Sequence, residues 1–335
     1  MTVHGRAFQL PPDKERSFQR AKRLAWWSIF FLCTIIGVIG LTMGSSEAMK
    51  AVWIEDVISV IPPIAFLIGA KYRGKDPTDE YPYGYRRAAL IAYQVSAVAL
   101  LAFGCYILLD SVFTLVSAEH ATIGTVAVFG RIIWLGWFMI AALIYSVIPP
   151  LVLGRMKLPL AQELHEKTLY TDAELNKGDW LTGIAGVFGI LGIGLGWWWS
   201  DAVAAGVISV EILKDGVHNL QNSVAQLMNK RPTSVDEKEK DPVLDKVEDA
   251  VKRLDWVRDV RVRLREDSDV LTGEIFVVPR DEANLIARVE EASRVATEVD
   301  WRLFDINVVP VRELNGSANP KRSDGANHKD ERTTR

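Results

Sequence analysis

The stretch LAWWSIFFLCTIIGVIGLTMG, Leu24–Gly44, holds no charged residue. At about 1.5 Å of rise per residue, such a run crosses the ~30 Å hydrocarbon core of a bilayer as one helix. Working outward, the same signature returns. Ala51–Ala70 is apolar except for Glu55 and Asp56. Ala88–Leu109 is uncharged and runs on past Asp110, and Ile132–Leu153 and Trp180–Trp199 are uncharged. Ala202–Met228 is the weakest block, broken by Glu211, Lys214, Asp215 and His218. Buried helices of water-soluble folds are shorter and punctuated by turns. The pattern therefore predicts an α-helical membrane protein, a bundle of six transmembrane helices over residues 24–231.

The basic residues set the expected orientation. Lys14, Arg16, Arg20, Lys22 and Arg23 precede the first block, Lys71, Arg73, Lys75, Arg86 and Arg87 follow the second, and Arg155, Lys157, Lys167 and Lys177 follow the fourth. Lys230 and Arg231 close the sixth, whereas the alternate connections have only Lys50 and Arg131 at their edges. The positive-inside rule then puts both termini in the cytoplasm, with residues 1–23 as a cytosolic segment of a plasma or inner membrane protein. Trp197, Trp198 and Trp199 fall at the outer interface, where indole rings are favoured. The first block lacks a small-residue cleavage site and is expected to be retained. Cys33 and Cys105 both lie inside apolar blocks, which argues against a disulfide framework or a thiolate cluster.

Residues 232–240 read as a polar linker, and 241–314 as a compact cytosolic domain. Val243–Leu254 has helical apolar spacing, Val257–Leu264 and Val270–Val278 read as strands, Asn284–Val299 as a helix and Leu303–Val311 as a strand. Glu266–Asp269 suits the hairpin turn. The order α-β-β-α-β implies an α+β layer of ferredoxin-like or metallochaperone-like form. Residues 315–335 are polar and expected to be disordered.

A carboxylate inside a membrane costs about 2.5–3.5 kcal/mol on the lenient insertion scale, so such residues need a reason. Glu55 and Asp56 stand side by side in the second block, with Ser59 one turn from Glu55. Asp172, Asn176 and Asp179 follow i, i+4, i+7 spacing and share a helix face. Were these two segments to pack together, they would form an all-oxygen cluster fit for a cation. Plainer readings stand beside this one. Asp172 could be solvated in a helical extension, Asp179 could cap the fifth span, and Glu55 and Asp56 could be interfacial. Asp110 and Asp215 read as structurally paired, and His165 and His218 as hydrogen-bonded structural residues. The glycines of the fifth block read as helix packing, because no Lys-Ser/Thr follows them.

At this point the chain resembles the cation diffusion facilitator family of divalent metal transporters, over about residues 24–312. Tyr81-Pro-Tyr-Gly-Tyr-Arg-Arg87 is similar to the family's His-Pro-(Phe/Tyr)-Gly segment after helix 2, with Tyr81 in the His place. Thr171-Asp-Ala-Glu-Leu-Asn-Lys-Gly-Asp-Trp-Leu-Thr182 is similar to its helix 5 signature, with Asp179 on the invariant Asp, and Asp201 falls on an Asp opening helix 6. The resemblance implies one metal held by two residues at i, i+4 on helix 2 and two on helix 5. Those positions are Glu55 and Ser59, and Leu175 and Asp179, so one acid per helix is kept. Asp56, Asn176 or Asp172 would then complete the set. It also implies efflux of a divalent cation in exchange for protons, and a homodimer formed through the cytosolic domain.

Carboxylates, an amide and a hydroxyl suit hard ions such as Mn²⁺, Mg²⁺ and Fe²⁺ better than Zn²⁺, although Zn²⁺ also accepts carboxylate. No permanently bound cofactor is expected, and no enzyme activity: the chain has neither a Ser/His pair nor an HExxH motif. No basic stripe interleaved with aromatics points to nucleic acid. The alternative to a transporter is a membrane-anchored sensor or assembly scaffold acting through the cytosolic domain, which needs no acids in the second and fifth blocks.

Overall fold

The computed structural model describes residues 10–314 except 74, 86, 119–121, 129 and 269, and leaves out the side chains of 89, 128, 175 and 177–179. The chain forms two compact units, Met1–Asp241 with Arg265–Thr272, and Pro242–Leu264 with Gly273–Arg335.

The first unit is helical. Its elements are α1 (Pro12–Thr42), α2 (Glu47–Ser59), α3 (Ile61–Tyr72), α4 (Ala88–Val116), α5 (Gly136–Leu164), α6 (Lys167–Gly194) and α7 (Ser200–Leu227). Among the described residues, four helical stretches are long and apolar enough to cross a membrane: Pro12–Thr42, Glu47–Tyr72, Leu90–Val116 and Gly136–Leu164. Trp180–Gly194 is a shorter apolar stretch of α6. Helix α7 carries Glu211, Lys214 and Asp215 in its middle.

The second stretch is two helices in tandem. Val60 ends α2, and Pro62 and Pro63 open α3. A proline has no N–H to give to the carbonyl one turn earlier. The carbonyls of Ile58 and Ser59 thus lose the donors a continuous helix would have supplied.

Packing follows an inside-out rule. On α4, Ile91, Val95, Val98, Tyr106, Leu109 and Phe113 are exposed, the outward apolar face a lipid solvent permits. Small residues let the helices approach each other closely. A Cβ added at Gly189 of α6 would stand 2.9 Å from Ala204 Cβ, and one at Gly192 would meet Ser200. The apolar core has two parts. One gathers Ile35, Ile39, Met49, Met139, Leu143 and Ile190. The other gathers Phe18, Ala25, Phe66, Ala161, Leu164 and Leu169. Between them in sequence on α1, α5 and α6 lie the buried polar residues Ser28, Ser146, Lys157, Asp172, Asn176 and Thr182.

Two segments depart from the sequence reading. Ile132–Trp134 was expected inside the fourth span. It forms instead β2 (Arg131–Trp134), paired antiparallel with β1 (Thr125–Val128). Gly130, at φ +76°, makes the turn, and Ile132 is exposed. Its β-branched neighbours favour a strand over a helix start, and Gly136 opens α5. At the other end, α5 runs past Leu153 to Leu164. Lys157 is therefore a fully buried helical residue and not a loop charge.

The second unit follows from period-2 and period-3.6 patterning. It contains α8 (Val243–Lys252), β3 (Val257–Asp267), β4 (Val270–Pro279), α9 (Leu285–Thr297) and β5 (Leu303–Pro310), with sheet order β3-β4-β5. Val247, Val251, Val260, Ile275, Val277, Ala292 and Ala296 are among its buried apolar residues, and Trp256 Nε1 donates to Glu291 at 3.0 Å. Glu266 and Asp267, read from the sequence as turn residues, end strand β3. A helical membrane domain followed by an α+β sheet region is thus the architecture.

Gly273 sits at φ +150°, and a Cβ there would stand 2.3 Å from the Arg263 carbonyl oxygen. Gly273→Ala is expected to cost about 1–3 kcal/mol, read as a lower melting temperature of the tail in the full-length protein.

Candidate functional site

The N-terminus of α2 is built first, because it sets the depth of everything below it. Four N–H groups at a helix start have no partner in the helix, and in hydrocarbon no water substitutes. Ser46 is the N-cap, and Met49 N–H donates to its Oγ at 3.2 Å. The remaining donors go to Asp201 of α7, which is 1% exposed. Ser46 Oγ donates to Asp201 Oδ1 at 2.7 Å, Glu47 N–H to Oδ2 at 2.6 Å and Ala48 N–H to Oδ1 at 3.3 Å. The same carboxylate closes on α6, since a Cβ at Gly189 would stand 3.3 Å from Asp201 Oδ1. Glu47 of α2 and Gly189 of α6 are therefore at one level. Lys50 Nζ donates to Glu47 at 2.6 Å beside this junction.

Depth then follows from helix rise. Counting inward from Glu47, Glu55 and Asp56 lie about 12–14 Å along α2, and Ser59 about 18 Å. Counting back from Gly189, residue 179 lies about 15 Å and Asn176 about 20 Å along α6. The two helices pack against each other directly. Glu55, Asp56 and residues 176–179 thus fall within about 8 Å of one another in depth. The apolar block begins at Ala51, and the helix that carries it starts earlier, at Glu47.

The predicted residues differ in surroundings. Asp56 is buried, while Glu55 and Ser59 are half-buried. Asn176 is buried, and a Cβ at Gly154 of α5 would lie 3.0 Å from its Cβ. The side chains of Asp179 and Leu175 lie outside the described residues, and only their place on α6 is known. Asp172 is buried and ion-paired with Lys157 of α5, whose side chain is fully buried. Among the described residues, no three His, Cys, Asp or Glu side chains converge as a metal cluster.

Sequence reading missed Lys157 and the partners of Asp201 and Glu266. The signal for Lys157 was a cation placed fifteen residues before Asp172, in a segment that continues α5 to Leu164. Lys167 Nζ binds Glu266 at 2.6 Å, and Thr233 N–H donates to the same carboxyl at 3.1 Å. Burial pushes the Glu266 carboxyl above its usual range, with Lys167 and the Thr233 N–H pulling it down. Arg73 pairs with Glu166 at 3.3 Å, and His165 ends α5 in the left-handed conformation, 3.5 Å from Asp241. The Tyr81-Pro-Tyr-Gly84 segment is a turn closed by Gly84 N–H to Tyr81 O at 2.9 Å. The Tyr81 and Tyr85 rings pack in a tilted pair with centroids 4.7 Å apart, and Lys75 lies over Tyr85 at 4.4 Å.

Residues 24–228 match the family profile described as the cation efflux transmembrane domain. The manganese efflux system protein MneP of Bacillus subtilis (strain 168) is 26% identical over 248 residues, 69% of this chain and 79% of its own length. The manganese efflux system protein MneS of the same organism is 26% identical over 196 residues, 56% of this chain and 63% of its own. The magnetosome protein MamB of Magnetospira sp. (strain QH-2) is 22% identical over 207 residues, 61% of this chain and 66% of its own.

Removing one member of a buried ion pair leaves the other charge uncompensated, at about 3–5 kcal/mol. Lys157→Met is expected to lower the stability of the detergent-solubilised protein by that order. Adding Asp172→Leu should restore most of it, which a double-mutant cycle of thermal melts checks.

Proposed function

Because this chain belongs to the cation diffusion facilitator family, we propose that it exports a divalent metal ion, Mn²⁺ foremost, by exchange with protons. Supporting Mn²⁺ are the hard oxygen chemistry of the candidate residues and the names of two relatives, both manganese efflux proteins. Mg²⁺, Fe²⁺ and Zn²⁺ are the competing cargoes.

The observation that carries the reading is the common depth of Glu55 and Asp56 on α2 and of residues 176–179 on α6. Glu55 and Asp179 are the central ligands. Asp56, Ser59 and Asn176 complete the set. Asp172, which the family pattern also brought into question, is held by Lys157 and serves as the inner boundary of the polar layer. The ion arrives from the cytosol, the bundle rocks, and the ion departs outside. Carboxylates gathered in a low-dielectric interior hold protons more readily than in water, so protons take the place of the departing ion. The reading counts α6 and α7 with the four apolar stretches as six spans, keeps both termini cytoplasmic and dimerises the protein through the sheet-bearing tail.

Proteoliposomes holding the full-length protein test it. Mn²⁺ is expected to drive metal uptake with counter-directed proton flux, ahead of Fe²⁺, Mg²⁺, Zn²⁺ and Co²⁺. Glu55→Ala with Asp179→Ala should reduce the flux more than tenfold. Absence of transport for every one of these ions would leave the tail-acting scaffold as the better account. Full transport in the double variant would remove the site and leave the function.

A further inference from the structure

We propose that Asp201 is a positioning residue for transport: its carboxylate clamps the first turn of α2 to α6, and so sets the register between the two ligand-bearing helices. The inference rests on the reading of Glu55 and Asp179 as the ion's ligands. Asp201 touches neither of them.

Three features separate this carboxylate from an ordinary cap. An N-cap residue normally belongs to the helix it caps. Here Ser46 fills that role, and Asp201, from α7, takes the Ser46 hydroxyl and two further N–H groups. Second, Asp201 is the second residue of α7, whose own start is welded to α6: Ser200 Oγ donates to the Gly189 carbonyl at 3.1 Å. Gly189 has no side chain to hold the helices apart, and its missing Cβ would stand 3.3 Å from Asp201 Cα. Third, Pro62 and Pro63 remove two helical hydrogen bonds at the junction of α2 and α3. The bonds to Asp201 hold the opposite end of α2. A slip of one residue at the clamp moves Glu55 by about 1.5 Å and turns it by about 100°, enough to take a ligand out of a coordination shell.

Asp201→Ala removes both carboxylate oxygens and with them all three hydrogen bonds. Asp201→Asn keeps one carbonyl oxygen and turns an NH₂ toward the Glu47 N–H, so its effect should be intermediate. Ser46→Ala should act in the same direction, more weakly. Two measurements on the full-length protein decide the matter. The first is Mn²⁺ transport in proteoliposomes, corrected for the folded fraction. Asp201→Ala is expected to raise KM about tenfold with the maximal rate less affected. The second is the distance between spin labels at the exposed positions Val57 of α2 and Ile184 of α6, in a background with Cys33 and Cys105 replaced by Ser. In Asp201→Ala the distance distribution should broaden or shift. An unchanged distribution overturns the proposal. So does an unchanged KM in a smaller folded fraction, because a purely structural residue behaves that way. If Glu55→Gln and Asp179→Asn leave KM untouched, the ligand reading fails, and the clamp is then judged by the label distance alone.

Discussion

The N–H groups at the buried start of α2 constrain this structure more than any other single feature. Ser46 and Asp201 are shut away inside the protein there, so the protein must supply the acceptors. It does so with one carboxylate from a distant helix, and the geometry of the membrane unit is arranged around that contact. Ser46, Glu47 and Ala48 meet Asp201, Gly189 makes room for it, and Ser200 ties the junction to α6. Depth along α2 and α6 is reckoned from there.

A second pairing works at the opposite end. Lys157 and Asp172 neutralise each other between α5 and α6, where neither reaches water. The pair makes the α5–α6 hairpin one rigid object up to the turn at His165. It also gives Asp172, one of the acids the sequence offered as metal ligands, a cationic partner on α5.

Much of this was legible in the chain. Uncharged blocks of about 20 residues can only be long buried helices or membrane spans, and acids within them stand out against such a background. The tail's alternation of periods gave its helices and strands. What was not legible depended on partners far away in sequence. Lys157 looks like an inner-loop charge until Asp172 is seen across the hairpin. Glu266 looks like a turn acid until Lys167 is found on it. Asp201 looks like the first residue of a helix, with nothing to say that it caps another whose start lies 155 residues earlier. Residues 132–134 were misread for a different reason: three apolar residues at the head of a longer apolar run show no period that separates a strand from a helix end.

The level shared by the acids has an electrical consequence. Gly194 ends α6, and residue 179 lies about 22 Å from it along the helix, in a hydrocarbon layer ~30 Å thick. On the proposed reading, with the N-terminus inside, a cation held there would have crossed only about a quarter of the field. Moving one charge through the whole field takes about 2.3 kcal/mol per 100 mV, so a dication leaving outward would work against roughly 3.4 kcal/mol at that voltage. Two protons returning along the same path would recover an equal amount, so a two-for-one exchange would be indifferent to voltage and a one-for-one exchange sensitive to it.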